Sequence, residues 1–206
     1  MKKIYSIGLL VLTFCFGIDA YGQLLPPNQP EQDACDALLL CGNSFTTPYS
    51  YQGIGLVSDL TSTPCSGGEG NSMWIRLNVS TAGTIVFTIA PISPDDDYDM
   101  AVVDMTGTNC SSLSSANVIR CNFNNNNPGS NINGIIGLNS TSTMTTVGSG
   151  SFGNSFCQQV TANAGDVYLI MINNFGNYVT GGPSQGFTID FTGSTATFAG
   201  QNPPLY

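Results

Sequence analysis

Apolar and polar residues alternate with a period of two in several short segments of this chain of 206 residues. Near the end of the chain, for example, Phe187, Ile189 and Phe191 are separated by Thr188 and Asp190. Because successive side chains of a strand point to opposite faces, this pattern predicts half-buried β-strands. The strands predicted in this way cover residues 44–52, 73–79, 84–90, 156–162 and 187–192.

Residues 167–172 (VYLIMI) are continuously apolar and rich in β-formers, which predicts a central strand buried on both faces. Turns rich in Gly, Asn and Ser separate the predicted strands, and no segment has a convincing helical periodicity. Together these features predict an all-β fold, an antiparallel, jelly-roll-like β-sandwich with disulfides. Residues 110–121 are expected to form a disulfide-closed excursion, and residues 122–155 loops with one or two weak strands.

The two ends of the chain are predicted to lie outside this domain. Lys2 and Lys3 precede a short apolar run at residues 7–16, and small residues follow, so residues 1–22 are expected to be a signal peptide. Residues 23–34 are Pro-rich and predict an extended lead-in to a β-sandwich domain at 35–198. Residues 199–206 are predicted to be a linker or tail, after which the natural chain could continue.

The net charge of the exported chain limits the classes of partner that it can bind. After cleavage only Arg76 and Arg120 remain as bases, against twelve acids (the thirteen of the full sequence less Asp19), for a net charge of −10. A surface this acidic repels phosphate backbones and favours cations, so nucleic acid is a poor candidate partner and none is predicted. No second apolar segment follows the signal peptide, so the protein is expected to be secreted, free or attached to the cell surface, without a membrane span.

Six cysteines remain after cleavage, an even number that predicts disulfides in an exported protein. They are Cys35, Cys41, Cys65, Cys110, Cys121 and Cys157, which allow fifteen pairings. Nearness in sequence favours Cys35–Cys41 and Cys110–Cys121, which leaves Cys65–Cys157 as a long-range pair. A zinc site is the weaker alternative, because the chain has no His and no CxxC spacing.

The most acidic stretch of the chain, residues 95–107 (DDDYDMAVVDMTG), leads into an alternating segment that predicts a strand. Carboxylates packed this closely repel one another unless they are solvated or share a cation, and Ca²⁺ takes six to eight oxygens. We therefore predict a structural calcium site, with a solvated acidic loop beside a sheet edge as the alternative. The candidate ligands are Asp95, Asp96, Asp97, Asp99 and Asp104, joined by Glu69 and Asn71 if the Gly-rich turn at 65–72 folds against them.

Catalysis is not expected from this chain. Without His, neither a Ser-His-Asp nor a Cys-His arrangement can form, and the acidic cluster is too crowded to separate an acid from a nucleophile. Phe175, Tyr178 and Asn174 lie in a predicted loop, where aromatic rings and amides could contact a glycan. The alternative is that they anchor the loop. Trp74, the single Trp, is expected to pack in the protein interior.

Several stretches together resemble the N-terminal β-sandwich module of Bacteroidetes surface and gliding-motility-associated proteins exported by type IX secretion. They are CSGGEGNSMW (65–74), STAGTIVFTI (80–89), DDDYDMAVVDMTGTNC (95–110), IRCNFN (119–124), TANAGDVYLIMINNF (161–175) and GFTIDFTGSTATF (186–198). Such modules are similar to pre-peptidase C-terminal and CUB domains. The CUB resemblance implies that Tyr98, Asp99 and Asp104 take part in calcium binding.

These features predict a non-catalytic adhesion or binding module outside the cell, stabilised by Ca²⁺. Its expected partner is a surface glycan or another surface protein, with self-assembly or attachment to further domains as other forms of association. A structural subunit or spacer of a surface assembly is the first alternative. An accessory domain of a secreted hydrolase is the second.

Overall fold

The structure is a computed structural model that describes residues 25–40, 42–93, 96–124, 134–150, 154–175 and 185–199. Short strands dominate it, as the period-two pattern predicts. The strands are β1 (Leu38–Leu39), β2 (Ser44–Thr47), β3 (Ser72–Thr81), β4 (Gly83–Ile85), β5 (Phe87–Pro91), β6 (Tyr98–Asp104), β7 (Val118–Asn122), β8 (Ile136–Asn139), β9 (Thr146–Val147), β10 (Phe156–Gln158), β11 (Val160–Ala162), β12 (Val167–Asn174), β13 (Phe187–Asp190) and β14 (Thr197–Phe198). Four 3₁₀ turns lie at Pro30–Gln32, Ala34–Asp36, Cys110–Ser112 and Ser115–Asn117.

Two main sheets share one apolar core. The seven-stranded sheet has the order β1-β3-β12-β6-β7-β9, with β14 also paired to β3, and the five-stranded sheet has the order β10-β8-β5-β13-β2. Strand β4 pairs with β11 in a separate small sheet. Most neighbours are antiparallel, and the parallel pairs β1–β3, β10–β8 and β7–β9 involve the outermost strands. The prediction of an all-β fold with disulfides is confirmed.

Strand β12 lies in the middle of the larger sheet, between β3 and β6. Ile170 and Ile172 face the core between the two sheets, whereas Leu169 and Met171 face the opposite side, and all four are almost fully buried. Apolar side chains on both faces explain why this segment has no alternation. The prediction of a central strand buried on both faces is therefore confirmed.

A third layer covers the outer face of the larger sheet and forms a second apolar cluster. The segment around Ala34 and the loop around Leu60 pack there on Trp74, Leu169 and Met171. The predicted lead-in thus contributes buried side chains to the domain, since Ala34 is 2 % exposed. Trp74 is completely buried in this layer, as predicted for it.

The disulfide pairing differs from the prediction. Cys35 is bonded to Cys110 and Cys65 to Cys121, so the predicted pairs Cys35–Cys41, Cys110–Cys121 and Cys65–Cys157 are wrong. Cys41 lies outside the described residues. Nearness along the chain misleads here because both bonds join segments far apart in the sequence. Cys35–Cys110 links two 3₁₀ turns over 75 residues, and Cys65–Cys121 attaches the outer layer to β7 over 56 residues.

Cys157 is a free, buried thiol. It packs in the core between the two sheets, whereas the Cys65–Cys121 bond belongs to the cluster on the outer face. The Cys157 thiol donates to the Cys121 carbonyl oxygen at 3.2 Å. Burial raises the pKa of this thiol to about 11, so it stays protonated at neutral pH.

Residues 84–90 form two strands where one was predicted. Val86, between the two strands, takes no part in strand pairing and bonds instead to a side chain. Its N–H donates to Ser194 Oγ at 3.0 Å, and the Ser194 hydroxyl donates to the Val86 carbonyl oxygen at 2.8 Å. The chain can therefore pass from the small β4–β11 sheet into β5 of the five-stranded sheet. Strand β7 lies mostly in the segment predicted as a disulfide-closed excursion, and β8 lies in the segment predicted to contain loops with one or two weak strands. Among the described residues, no helix has the length and apolar character needed to cross a membrane.

Candidate ligand cavity

A cavity of about 470 Å³ lies on the outer face of the larger sheet, at the end where β3 and β6 begin. Its walls combine the Gly-rich turn with the acidic stretch, the two most distinctive segments of the sequence. The lining residues are Cys65, Ser66, Gly67, Gly68, Glu69, Gly70, Asn71, Asp97, Asp99, Phe123, Ser149, Asn173, Asn174 and Phe175. A volume of this size is within the range of sites for small ligands.

Strand register builds the floor of the cavity. Asn173 of β12 lies opposite Ser72 of β3 on one side and opposite Asp99 of β6 on the other. Directly opposed residues of neighbouring strands project from the same face, so the three side chains form one row across the sheet. The next row on this face is Trp74, Met171 and Ala101, which is apolar and buried. The polar row therefore marks the place where the apolar cluster ends and the cavity begins.

Glu69 fixes the Gly-rich turn to the sheet and to the neighbouring loop. Its carboxylate accepts from Trp74 Nε1 at 2.8 Å and from the Leu60 backbone N–H at 2.9 Å. Burial raises the pKa of Glu69 to about 7, although both hydrogen bonds oppose the shift. This predicted metal ligand thus lies at the cavity but already has two donors from the protein.

The glycines of this turn allow its backbone to approach other groups closely. A Cβ at Gly68 would lie 2.6 Å from the Thr61 carbonyl oxygen, and one at Gly70 would lie 2.8 Å from Asn173 Oδ1. A Cβ at Gly67 would overlap the ring of Phe123. Real Cβ atoms do not come this close to other atoms. The obstruction at Gly68 is backbone, so packing requires glycine there, whereas at Gly67 and Gly70 the side chain of Phe123 or Asn173 would have to move.

Asn71 joins the end of the turn to β12. Its backbone N–H donates to Asn173 Oδ1 at 2.7 Å, and its side-chain Nδ2 donates to the Asn174 carbonyl oxygen at 3.1 Å. Asn71 Oδ1 in turn accepts from the Gly53 N–H at 3.0 Å. This second predicted ligand from the turn therefore holds three segments together.

Asp97 and Asp99 are the residues of the acidic stretch that line the cavity. They alternate with Tyr98, which faces the core, and so share the outer face. Asp99 is only 5 % exposed. Burial, and secondly the charge of Asp97, raise its pKa well above the usual range for Asp, and a hydrogen bond from Asn173 opposes that shift.

The other predicted acidic ligands lie elsewhere. Asp96 does not line the cavity: its carboxylate accepts from Asn174 Nδ2 at 3.2 Å and from the Gln185 N–H at 2.8 Å. Asp104 ends β6, about 17 Å along the strand from Asp99, and accepts from the Thr106 N–H at 2.9 Å. The structure does not bring Asp104 into one site with Asp99, because a strand extends about 3.4 Å per residue. Asp95 lies outside the described residues.

The loop predicted to contact a ligand reaches the cavity through two of its residues. Phe175 lines the cavity, is 53 % exposed and donates its N–H to the Asp97 carbonyl oxygen at 2.7 Å. Asn174 also lines it, while its Nδ2 donates to Ser50 Oγ at 3.0 Å. Tyr178 lies outside the described residues.

Phe123, which forms part of the cavity wall, was not predicted as a site residue. It follows Cys121 by two positions and belongs to the same outer cluster. The alternation of β7 would have placed Phe123 on the face of Cys121, but this strand was not recognised in the sequence. Strand β7 could be identified only from its pairing with β6 in the structure.

The described residues contain no group of three or more His, Cys, Asp or Glu side chains that converge as a metal site. Asp97 and Asp99 are a pair of carboxylates, which can provide at most four oxygens. Ca²⁺ takes six to eight oxygens, so these two carboxylates alone are too few for the predicted calcium site.

Comparisons with protein-family models, with curated proteins and with solved structures each find no match for this chain.

Proposed function

We propose that this protein is a non-catalytic glycan-binding module that acts outside the cell. The observation that supports this function is the composition of the cavity, in which exposed aromatic surface adjoins a buried carboxylate, a half-buried one and buried amides. The two disulfides are compatible with an extracellular location. The predicted signal peptide, and the resemblance to secreted surface modules, point in the same direction.

A sugar ring has an apolar face and a rim of hydroxyl donors, and the cavity has groups suited to both. Phe123 is 7 % exposed in the wall, and Phe175, which also lines the cavity, is about half exposed. The carboxylates of Asp97 and Asp99 are acceptors for hydroxyl groups. Aromatic stacking supplies affinity in such a site, and the buried acceptors fix the orientation of the ring.

Ca²⁺ is the ion that we propose for Asp97 and Asp99, with a structural role. A divalent cation would remove the repulsion between the two carboxylates. Its remaining coordination positions would be taken by water or by oxygens outside the described residues. The glycan proposal does not depend on this ion, because the aromatic and amide groups of the cavity belong to the protein itself.

A glycan array probed with the secreted chain tests the proposed function. We expect binding to a defined subset of glycans, and Phe175→Ala should weaken it about tenfold because the ring is lost from the cavity. Ile92→Ala is the matched control, since Ile92 is 44 % exposed but does not line the cavity. Absence of binding to any glycan would contradict the proposal and favour the alternative of a structural spacer.

A thermal melt in Ca²⁺ and in chelator tests the proposed ion. A ligand at about 100 times its Kd adds roughly 2.7 kcal/mol to the free energy of unfolding, enough to raise the Tm visibly. We expect a Ca²⁺-specific rise that is lost in Asp97→Asn/Asp99→Asn and retained in Asp104→Asn. An equal Tm in Ca²⁺ and in chelator would exclude a calcium site of useful affinity.

A further inference from the structure

We propose that Cys157 is the attacking thiol of an intramolecular disulfide exchange, in which it displaces Cys121 from Cys65. The exchange would move the cross-link of the Gly-rich turn from β7 in the larger sheet to β10 in the smaller one. This inference does not depend on the proposed glycan binding. Its basis is the position of two sulfur atoms at one carbonyl oxygen.

The sulfur atoms of Cys157 and Cys65 approach the same backbone atom. Cys157 Sγ donates to the Cys121 carbonyl oxygen at 3.2 Å, and Cys65 Sγ lies 2.9 Å from that oxygen. The two sulfur atoms are therefore within about 6 Å of each other. Cys65 is bonded to Cys121, so a free thiol lies beside a disulfide. Exchange requires a thiolate with access to a disulfide sulfur, and here a shift of a few ångströms would provide that access.

The exchange is a substitution at sulfur that needs no oxidant and no reductant. The Cys157 thiolate attacks Cys65 Sγ, the Cys65–Cys121 bond breaks, and a Cys65–Cys157 bond forms. Cys121 leaves as a thiolate and takes up the proton that Cys157 has lost. The chain therefore has the same number of disulfides and free thiols before and after the exchange.

Strand β10, which carries Cys157, is suited to a local shift. It comprises three residues, Phe156–Gln158, and lies at one edge of the five-stranded sheet, where it pairs with β8. Short edge strands open at a lower cost in free energy than central strands. Strand β10 also packs against β7, the strand of Cys121. Local opening of this edge can therefore reorient the Cys157 thiol while the central strands stay paired.

Protonation of Cys157 restrains the exchange at neutral pH. Burial raises the pKa of this thiol to about 11, although the positive charge of Arg120 and the hydrogen bond to Cys121 oppose the shift. Strands β7, β8 and β9 pack against β10, and Arg120 is the one charged side chain that these three strands carry. Because only the thiolate attacks a disulfide, the rate should rise about tenfold per pH unit below the pKa.

The exchange would also change the cavity, because Cys65 is one of its lining residues. The Cys65–Cys121 bond belongs to the cluster on the outer face of the larger sheet, whereas Cys157 packs in the core between the two sheets. A bond from Cys65 to Cys157 would draw the start of the Gly-rich turn towards that core. The three cysteines thus form a switch that alters one wall of the cavity without a change in redox state.

Disulfide mapping of the secreted chain after incubation at about pH 7 and about pH 9, without oxidant or reductant, tests the exchange. Samples are quenched in acid, denatured with N-ethylmaleimide to label free thiols, cleaved with pepsin and analysed by mass spectrometry. Before incubation we expect the label on Cys157. A Cys65–Cys157 peptide and label on Cys121 should then appear together, roughly 100-fold faster at the higher pH.

Two variants and one internal control identify the attacking thiol. Cys157→Ser removes the attacking sulfur and should retain Cys65–Cys121 at both pH values. Cys41→Ser should exchange at the rate of the unsubstituted chain, since Cys41 has no part in the reaction. The Cys35–Cys110 bond should remain intact throughout.

Three results would overturn the proposal. Label confined to Cys157 after the alkaline incubation would show that this thiol does not reach the disulfide. Loss of Cys35–Cys110 to the same extent as Cys65–Cys121 would show general scrambling. A rate that rises with protein concentration would show exchange between molecules instead of within one.

Discussion

The two ends of strand β6 carry acidic residues in very different surroundings. At its start, Asp99 is buried in the floor of a cavity, beside Asp97 and beneath the Gly-rich turn. At its end, Asp104 accepts from the Thr106 N–H, two residues further on, in a turn that closes with Gly107 at φ 72°. The same residue type in the same strand thus forms a candidate site at one end and a local turn at the other.

This contrast arises from what covers each end. The carboxylate of Asp104 obtains its hydrogen bond from its own chain, so its surroundings are set locally. Asp99 is enclosed by distant segments, because the Gly-rich turn is held above it by Glu69 and by the Cys65–Cys121 bond. Burial among distant segments, and not the number of carboxylates, distinguishes a candidate site from an acidic surface.

Removal of the disulfide beside the cavity should have the largest effect. Cys65→Ala/Cys121→Ala is expected to lower the free energy of unfolding by about 2–5 kcal/mol and also to abolish glycan binding, because Cys65 lines the cavity. Denaturant unfolding and calorimetric titration measure the two effects separately.

The second disulfide provides the matched control. Cys35→Ala/Cys110→Ala removes the bond between the N-terminal segment and the loop that follows Asp104, at a similar separation in sequence. Its cost in stability should be similar, but binding by the folded protein should be retained. Equal loss of binding in both variants would show that the cavity depends on the outer layer as a whole.

Substitution of one glycine near each end of β6 should have a smaller effect on the free energy of unfolding. Gly68→Asn places a Cβ against the Thr61 carbonyl oxygen and should destabilise the fold by about 1–3 kcal/mol. Gly107 has a positive φ but open space around it, and Asn tolerates that backbone conformation, so Gly107→Asn should be nearly neutral. Thermal unfolding checks both, and a larger loss for Gly107→Asn would contradict the packing explanation of the Gly-rich turn.

Neutralising Asp99 should change the free energy of unfolding only slightly, and should raise it, whereas the substitutions above lower it. Since the pKa of Asp99 is raised in the folded state, the folded protein holds a proton that the unfolded chain has lost, and stability falls as pH rises above the usual pKa of Asp. Glu69 also lowers the stability of the fold as pH rises. Its contribution changes between its ordinary pKa and its folded-state pKa of about 7. Asp99→Asn should therefore raise the free energy of unfolding at pH 7 in chelator, by an amount on the order of 1 kcal/mol.

Asp104→Asn is the matched control for this loss of one negative charge, because an Asn side chain can still accept from the Thr106 N–H. Unfolding measured from about pH 4 to pH 8 should show a weaker decline for Asp99→Asn than for Asp104→Asn. Identical pH profiles for the two variants would mean that Asp99 is not held at a raised pKa by the cavity.

The sequence alone determined the fold class and the positions of most long strands. Alternation identified the segments of β3, β5 and β13, and the unbroken apolar run identified β12, because side-chain periodicity is a local consequence of strand geometry. It also indicated that the Gly-rich turn and the acidic stretch could meet. Charge and composition are likewise local properties, and they were enough to disfavour nucleic acid as a partner.

Only the tertiary structure decided how these segments are used. The pairings Cys35–Cys110 and Cys65–Cys121, the wall formed by Phe123, and the separation of Asp104 from Asp99 all depend on which strands are neighbours and on what lies over them. Period-two patterns specify the face of a side chain but not the partner of a strand. Contacts between residues far apart in the sequence therefore had to be read from the fold.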